Sequence, residues 1–160
     1  MTRVRFPQRL VLDTNVVLDL VVFRDPLAAP IAQALDAGAA VSVTTHECLA
    51  ELRRVLAYPK LKLDAAAQNA AFERYCLQAR LAGSPASAAP VPLPRCADCE
   101  DQKFIELAWH AGARFLITKD KALLRLSRTA ARIGGFEILP PGAFAERAAP
   151  RTPPVPAMGR

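Results

Sequence analysis

Acids dominate the residues able to do chemistry in this chain. Asp13, Glu51, Asp98, Asp101 and Asp120 lie far apart in sequence, while His46 and His110 are the only two histidines. Chemistry that needs several imidazoles is therefore disfavoured. Carboxylates gathered into one place repel one another and raise their own pKa values, and a divalent cation removes that conflict. Hard oxygen ligands with few histidines select Mg²⁺ or Mn²⁺ over zinc. Such an ion activates water and neutralises charge on a phosphodiester during its hydrolysis. Asn15 and Thr118 add neutral polar groups suited to orient a water, ligand or phosphate. The residue set points to phosphodiester hydrolysis without a general-base histidine.

Whether these acids can meet depends on the elements that carry them. Residues 9–12, Arg-Leu-Val-Leu, form a short apolar run ending at Asp13, the pattern of a strand buried on both faces. Residues 15–23 fit a short helix or an extension equally well. Asp25-Pro26 starts a helix, with Asp as N-cap and Pro at the first helical position, and Gly38 ends it. Residues 40–43 read as a second strand. Thr44-Thr45-His46-Glu47 matches a capping box opening a helix through Leu56, which must stop before Pro59. Asp64 caps a long alanine-rich helix that fades near Gly83, and residues 83–94 form a Pro-, Ala- and Ser-rich loop. A further amphipathic helix begins at Asp98 or Cys99 and ends at Gly112. Residues 114–118 give a third strand closing at Asp120, residues 122–126 a short helix, Gly134-Gly135 a turn, and residues 136–139 a fourth strand.

Strands that alternate with helices and look buried rather than striped indicate an α/β/α sandwich around a mainly parallel sheet of four to five strands. Ligands of such sheets collect beyond the carboxyl ends of the strands. Asp13 and Asp120 follow two strand ends, Glu51 lies on the helix after the second strand, and Asp98 and Asp101 flank the start of the helix before the third. All are thus expected at one edge of the sheet.

The chain has 160 residues, 52% apolar and 22% charged, with 21 Lys and Arg against 15 Asp and Glu. That suits one domain, residues 1–146, followed by a Pro-, Ala- and Arg-rich tail, residues 147–160, expected to be disordered. No apolar run approaches the roughly 20 residues a bilayer span needs, and no signal-type segment opens the chain, so a cytoplasmic protein without a membrane association is expected. The net charge of +6 favours a polyanion partner.

Four motifs in order resemble those of PIN-domain ribonucleases. Leu12-Asp13-Thr14-Asn15-Val16 is similar to the opening motif. Ala50-Glu51-Leu52-Arg53-Arg54-Val55-Leu56, followed by Tyr58-Pro59-Lys60, is similar to the second motif of one VapC-like toxin branch. Residues 98–108, beginning Asp98-Cys99-Glu100-Asp101-Gln102, resemble that branch's acidic third motif, and Leu116-Ile117-Thr118-Lys119-Asp120 the fourth; residues 136–144 resemble the closing strand and helix. The resemblance spans residues 8–146. It implies a PIN fold and Mg²⁺- or Mn²⁺-dependent cleavage of single-stranded RNA. It also implies the role of toxin in a bacterial toxin–antitoxin pair, with a cognate antitoxin and a homodimer as partners. It carries the acidic, catalytic metal site onto Asp13, Glu51, Asp101 and Asp120, with Asp98 as an additional ligand. Cys96, Cys99 and Gln102 depart from that branch's usual third motif, and Gln102 removes a charge beside Asp101.

Plainer roles compete at each position. Asp120 fits the N-cap of the following helix, either Asp98 or Asp101 fits that of the 99–111 helix, and Glu51 suits a surface pair with Arg54. Cys96-Ala97-Asp98-Cys99 is a CxxC, but a structural zinc needs four ligands and the remaining Cys and His residues are scattered. Cys48 and Cys76 are expected as small core residues, and Phe104 and Trp109 on a core face. Arg3, Arg5, Arg9, Arg53, Arg54, Lys60 and Lys62 are possible RNA contacts, and Lys119 and Lys121, beside Asp120, are better placed for phosphate. The rival to an RNA endonuclease is a catalytically silent PIN-type module that binds RNA or a protein.

Overall fold

The computed structural model describes residues 6–83 and 92–149. Five parallel strands form one sheet in the order β3-β2-β1-β4-β5, with β1 at Gln8–Leu12, β2 at Ala40–Thr44, β3 at Ala79–Leu81, β4 at Phe115–Ile117 and β5 at Glu137–Leu139. Helices α1 (Thr14–Leu18), α2 (Ala29–Asp36), α3 (His46–Leu56), α4 (Ala65–Gln78) and α8 (Phe144–Ala148), and α5 (Gln102–His110), α6 (Lys121–Leu124) and α7 (Ser127–Thr129), complete the α/β/α sandwich.

Side-chain alternation along the strands splits the apolar residues into two cores. Leu10 and Leu12 of β1, Phe115 and Ile117 of β4 and Leu139 of β5 pack with α1, α2, α3, α4 and α8. Val11, Leu116 and Ile138, one residue out of phase on the same strands, pack with α5, α6 and the segment after α7. Both faces of the central strands are therefore covered, which is why residues 10–12 and 115–117 read as continuous apolar runs. Phe104, Phe115 and Phe136 are the bulkiest fully buried side chains. Ser42 and Tyr75 place the polar contact in the first core: their hydroxyls meet at 2.8 Å, and burial pushes the Tyr75 phenol up to about 12.

Several boundaries differ from the sequence expectation for identifiable reasons. The alanine-rich helix ends at Gln78, and Ala79–Leu81 becomes the edge strand β3, paired with Ser42–Thr44. Three residues with an alanine first carry no strand pattern of their own; pairing to β2 creates the strand. The capping residue of α3 is Thr45, whose Oγ1 accepts from the Cys48 amide at 3.1 Å, while Thr44 ends β2. Residues 15–23 form α1 and then a π turn over Asp19–Phe23. The helix expected from residue 99 starts only at Gln102. Cys76 is exposed rather than part of the core, whereas Cys48 is buried. Trp109 is half-buried and packs on the second core, and Phe104 is 1% exposed. The expected domain boundary at residue 146 falls inside α8. The tail beyond residue 149, most of the 83–94 loop, Arg3 and Arg5 lie outside the described residues. No helix among the described residues is long and apolar enough to cross a membrane.

Candidate active site

The order of the sheet locates the site. From β1 the chain moves outward through β2 to β3, then returns to place β4 on the other side of β1. The carboxyl ends of β1 and β4 therefore border the point where the winding reverses, the place where parallel sheets open a crevice. Asp13 follows β1 there, and Thr118 and Asp120 follow β4.

Backbone ladders fix both segments. The Asp13 amide donates to the Ile117 carbonyl at 3.0 Å, and the Thr118 amide to the Leu139 carbonyl at 3.0 Å. Asp13 then caps α1, its carbonyl accepting from the Val16 and Val17 amides and its Oδ1 taking a long 3.4 Å bond from the Asn15 amide. The other carboxylate oxygen, Oδ2, accepts the Thr118 hydroxyl at 2.7 Å. Thr118 Oγ1 in turn accepts the Asp120 amide at 3.0 Å, and Asp120 Oδ1 caps α6 through the Leu123 amide at 3.1 Å. Thr118 is fully buried. Its hydroxyl is committed to Asp13 and to the Asp120 loop, so it holds acids in place rather than meeting a substrate. Asn15 is exposed on the first turn of α1.

Glu51 and Asp101 approach from α3 and from the turn before α5. Glu51 does not pair with Arg54; it makes a close ion pair with Lys103, the second residue of α5, and the two side chains are only 20% and 16% exposed. Asp101 occupies the N-cap position of α5, yet its side chain makes no capping hydrogen bond, which leaves the carboxylate for the crevice. Asp98 is exposed and accepts the Glu100 amide at 2.9 Å, a local turn contact. Asp120 thus caps a helix as well as bordering the site, whereas neither Asp98 nor Asp101 caps α5 through its side chain.

Electrostatics bind the acids into one group. Burial raises the Asp13 pKa above the usual carboxylate value; the Thr118 and Asn15 hydrogen bonds counter it, and Glu51 and Asp120 add repulsion. Asp101 is pushed up to about 6, first by burial and then by the charges of Asp13, Asp98, Asp120 and Glu51. The other four acids named from the sequence thus sit within electrostatic reach of Asp101. At Lys103, burial works against the ammonium, but the hydrogen bond and charge of Glu51 outweigh it and raise its pKa.

The donor set is all oxygen and strongly anionic, the chemistry that suits a hard divalent cation. As the side chains stand, however, no three Asp, Glu, His or Cys groups among the described residues converge closely enough to hold a metal ion. The Glu51–Lys103 pair already gives one of these carboxylates a cation within the protein.

Two residues that shape the site, Lys103 and Asp19, are not picked out by the sequence, and a third, Gln102, is picked out only by its missing charge. Lys103 is the partner of Glu51, and its place at the start of α5, five residues past Asp98, was the available clue. Asp19, only 4% exposed, pairs with Lys119 at 2.7 Å, so Lys119 is tied to the π turn after α1 rather than left free beside Asp120. Gln102 is more than a missing charge: its Oε1 accepts the Cys96 amide at 2.7 Å and its Nε2 donates to the Pro94 carbonyl at 3.0 Å. It thereby pins the loop leading to Asp98, with the Cys96 thiol half-buried and free and the Cys99 thiol free and exposed.

The basic residues surround rather than line the crevice. Arg9 stands at the amino end of β1, four residues before Asp13, and donates to the Ala111 carbonyl at 2.9 Å. Arg53 lies over the Phe72 ring at 3.9 Å. A cleft of about 400 Å³ runs along α5 between Thr45 and Lys103 at one end and Arg9 and Ala111 at the other, with Arg80, Glu47 and Glu106 also on its wall.

The PIN domain family model matches residues 9–122, which hold all five acids and the first four strands. A search of curated proteins finds no match to the chain. PIN domains are generally nucleases and generally use divalent metal ions. With a doubly wound parallel sheet, acids drawn from four parts of the chain to its reversal point, and the family model matched over most of its length, the chain belongs to the PIN domain family.

Proposed function

We propose that this chain is a Mg²⁺- or Mn²⁺-dependent endoribonuclease that hydrolyses phosphodiester bonds of single-stranded RNA. The observation that carries the reading is the placement of Asp13 and Asp120 beyond the carboxyl ends of β1 and β4, tied together through the Thr118 hydroxyl, with Glu51 on α3 and Asp101 at the start of α5. These four, with Asp98 at the rim, would hold the metal. When bound, the ion supplies a water nucleophile at neutral pH and offsets negative charge on the phosphate. Thr118 holds the Asp13 carboxylate and the Asp120 loop in register, and Asn15, exposed beside Asp13, orients water or substrate. Lys121, next to Asp120, supplies a cationic contact for the RNA backbone.

The experiment is cleavage of a labelled single-stranded RNA by the purified chain with Mn²⁺, with Mg²⁺, and with excess chelator. Cleavage that needs the metal and falls at least a hundredfold in Asp13→Asn supports the reading. Undiminished cleavage by Asp13→Asn, or in chelator, overturns it.

The resemblance of residues 98–108 and 50–60 to the VapC-like branch supports the finer reading of a bacterial toxin, held in check by a cognate antitoxin, acting as a homodimer in the cytoplasm. Growth of cells expressing the chain alone and with the adjacent small open reading frame tests the toxin role, and equal growth in both overturns it. Light scattering tests the dimer.

The rival reading, a catalytically silent module that binds RNA or a protein, draws on the Glu51–Lys103 pair, which supplies a protein counterion where a nuclease needs a metal. Titration calorimetry with Mn²⁺ near neutral pH separates the two, since a silent module takes up no metal.

A further inference from the structure

The ion pair between Glu51 and Lys103 joins α3 to α5. Both side chains are largely shielded from water, so neither group is simply solvated at the surface. The Lys103 ammonium also lies 5.2 Å from the ring centre of Phe104, and Phe104 is 1% exposed and anchored in the second core. That anchoring limits how far the ammonium moves while α5 stays docked. Glu51 is meanwhile the one acid of the group whose carboxylate is already neutralised by a cation of the protein. Asp13 is held by a hydroxyl and an amide, Asp120 and Asp98 by amides, and the Asp101 side chain makes no capping bond.

We propose that Lys103 is an internal counterion that competes with the divalent metal for Glu51, so that metal uptake requires the Glu51–Lys103 pair to open. This inference rests on the nuclease reading of the site and adds a regulatory element to it. Two opposite effects follow from one contact. Without metal, Lys103 stabilises the chain by neutralising a shielded carboxylate among four other acids. With metal, that same ammonium is a cation placed next to a cation, and it weakens binding. A ligand and a residue that exclude one another from the same carboxylate are coupled by a free energy that is the same whichever is removed first. A lysine with a purely structural role would instead lower the stability of the metal-free and the metal-loaded protein by equal amounts.

The test uses the full chain and Mn²⁺ itself as the probe. Binding is read by titration calorimetry and melting temperature with and without Mn²⁺, in wild type, Lys103→Met, Lys103→Gln, Lys103→Arg and Asp13→Asn. The Gln variant keeps a polar group at the position, so that a packing defect of Met alone does not decide the result. The expected result is a lower melting temperature of the metal-free Met and Gln variants, Mn²⁺ binding about fivefold tighter or more, and a correspondingly larger rise in melting temperature on adding Mn²⁺. The Arg variant keeps the pair and binds like wild type. Unchanged or weaker Mn²⁺ binding in both Met and Gln variants, with wild-type binding abolished in Asp13→Asn, overturns the role of Lys103 alone. No Mn²⁺ binding to wild type overturns the reading of the site and this inference with it.

Discussion

The Thr118 hydroxyl donates to Asp13 Oδ2 at 2.7 Å, joining the carboxyl ends of β1 and β4 although 105 residues separate the two side chains. The contact is buried, and the same hydroxyl oxygen accepts the Asp120 amide. One side chain therefore sets the position of two of the acids. Thr118→Val keeps the shape and removes the hydroxyl, leaving a buried carboxylate oxygen without its donor and an amide without its acceptor. The expected loss is about 1–3 kcal/mol of stability in urea unfolding, while Thr118→Ser retains most of it. The same change frees the Asp13 carboxylate from the contact that orients it, so the Val variant is expected to bind Mn²⁺ more weakly. A Val variant as stable as Ser would show that the hydroxyl does not organise the site.

Much of this arrangement is legible in the sequence, and the unread parts share a cause. Residues 10–12 and 115–117 announce themselves because strands buried on both faces admit only apolar side chains, and each run is followed by a polar residue at the crevice. β3 is invisible because Ala79–Leu81 has no pattern of its own and is made a strand by its neighbour β2. The same division holds for the site. Asp13 and Asp120 are placed by the strands they follow, so spacing alone finds them. The partners of Glu51 and Lys119 are not found that way, because Lys103 and Asp19 lie on other elements and only the docking of α5 and of the π turn after α1 brings them into contact. Gln102 illustrates the limit of reading charge alone: its absent carboxylate was legible, and its amide, clamped between Pro94 and Cys96, was not.

Asp101 links the site's charge to the stability of the metal-free protein. Its carboxyl titrates near 3.8 in an unfolded chain and near 6 in the fold. Between those values the folded state binds more protons than the unfolded state, so stability conferred by the protonated group is full below about pH 4 and is lost as pH rises through 6. Asp101→Asn carries no charge to be penalised. The variant is expected to gain in melting temperature relative to wild type at pH 7.5 and to show little gain at pH 4, both without metal. Mn²⁺ should reverse the order at pH 7.5, because only wild type offers the carboxylate. Melting curves at the two pH values, with and without Mn²⁺, check this; an Asn variant equally shifted at both would mean that burial and the neighbouring acids do not raise the Asp101 pKa.

Lys119 offers a choice between two roles that predict different measurements. From its place beside Asp120 it reads as a phosphate contact, but its ammonium pairs with Asp19 at 2.7 Å, and Asp19 is 4% exposed while the Lys119 side chain is 47% exposed. Truncating the lysine leaves a buried acid without its counterion, which costs more than an exposed pair would. Lys119→Ala is therefore expected to lose about 1–3 kcal/mol, and the loss should shrink when Asp19→Asn is added, because no buried charge then remains to be unpaired. A double-mutant cycle by urea unfolding measures that coupling, and the half-exposed position of the lysine means that high salt weakens it. A phosphate contact would instead leave stability unchanged and raise the KM for RNA in Lys119→Ala, with or without Asp19→Asn. Lys121, the first residue of α6 and outside the pair, is the control: Lys121→Ala should weaken RNA binding while leaving unfolding within about 0.5 kcal/mol of wild type.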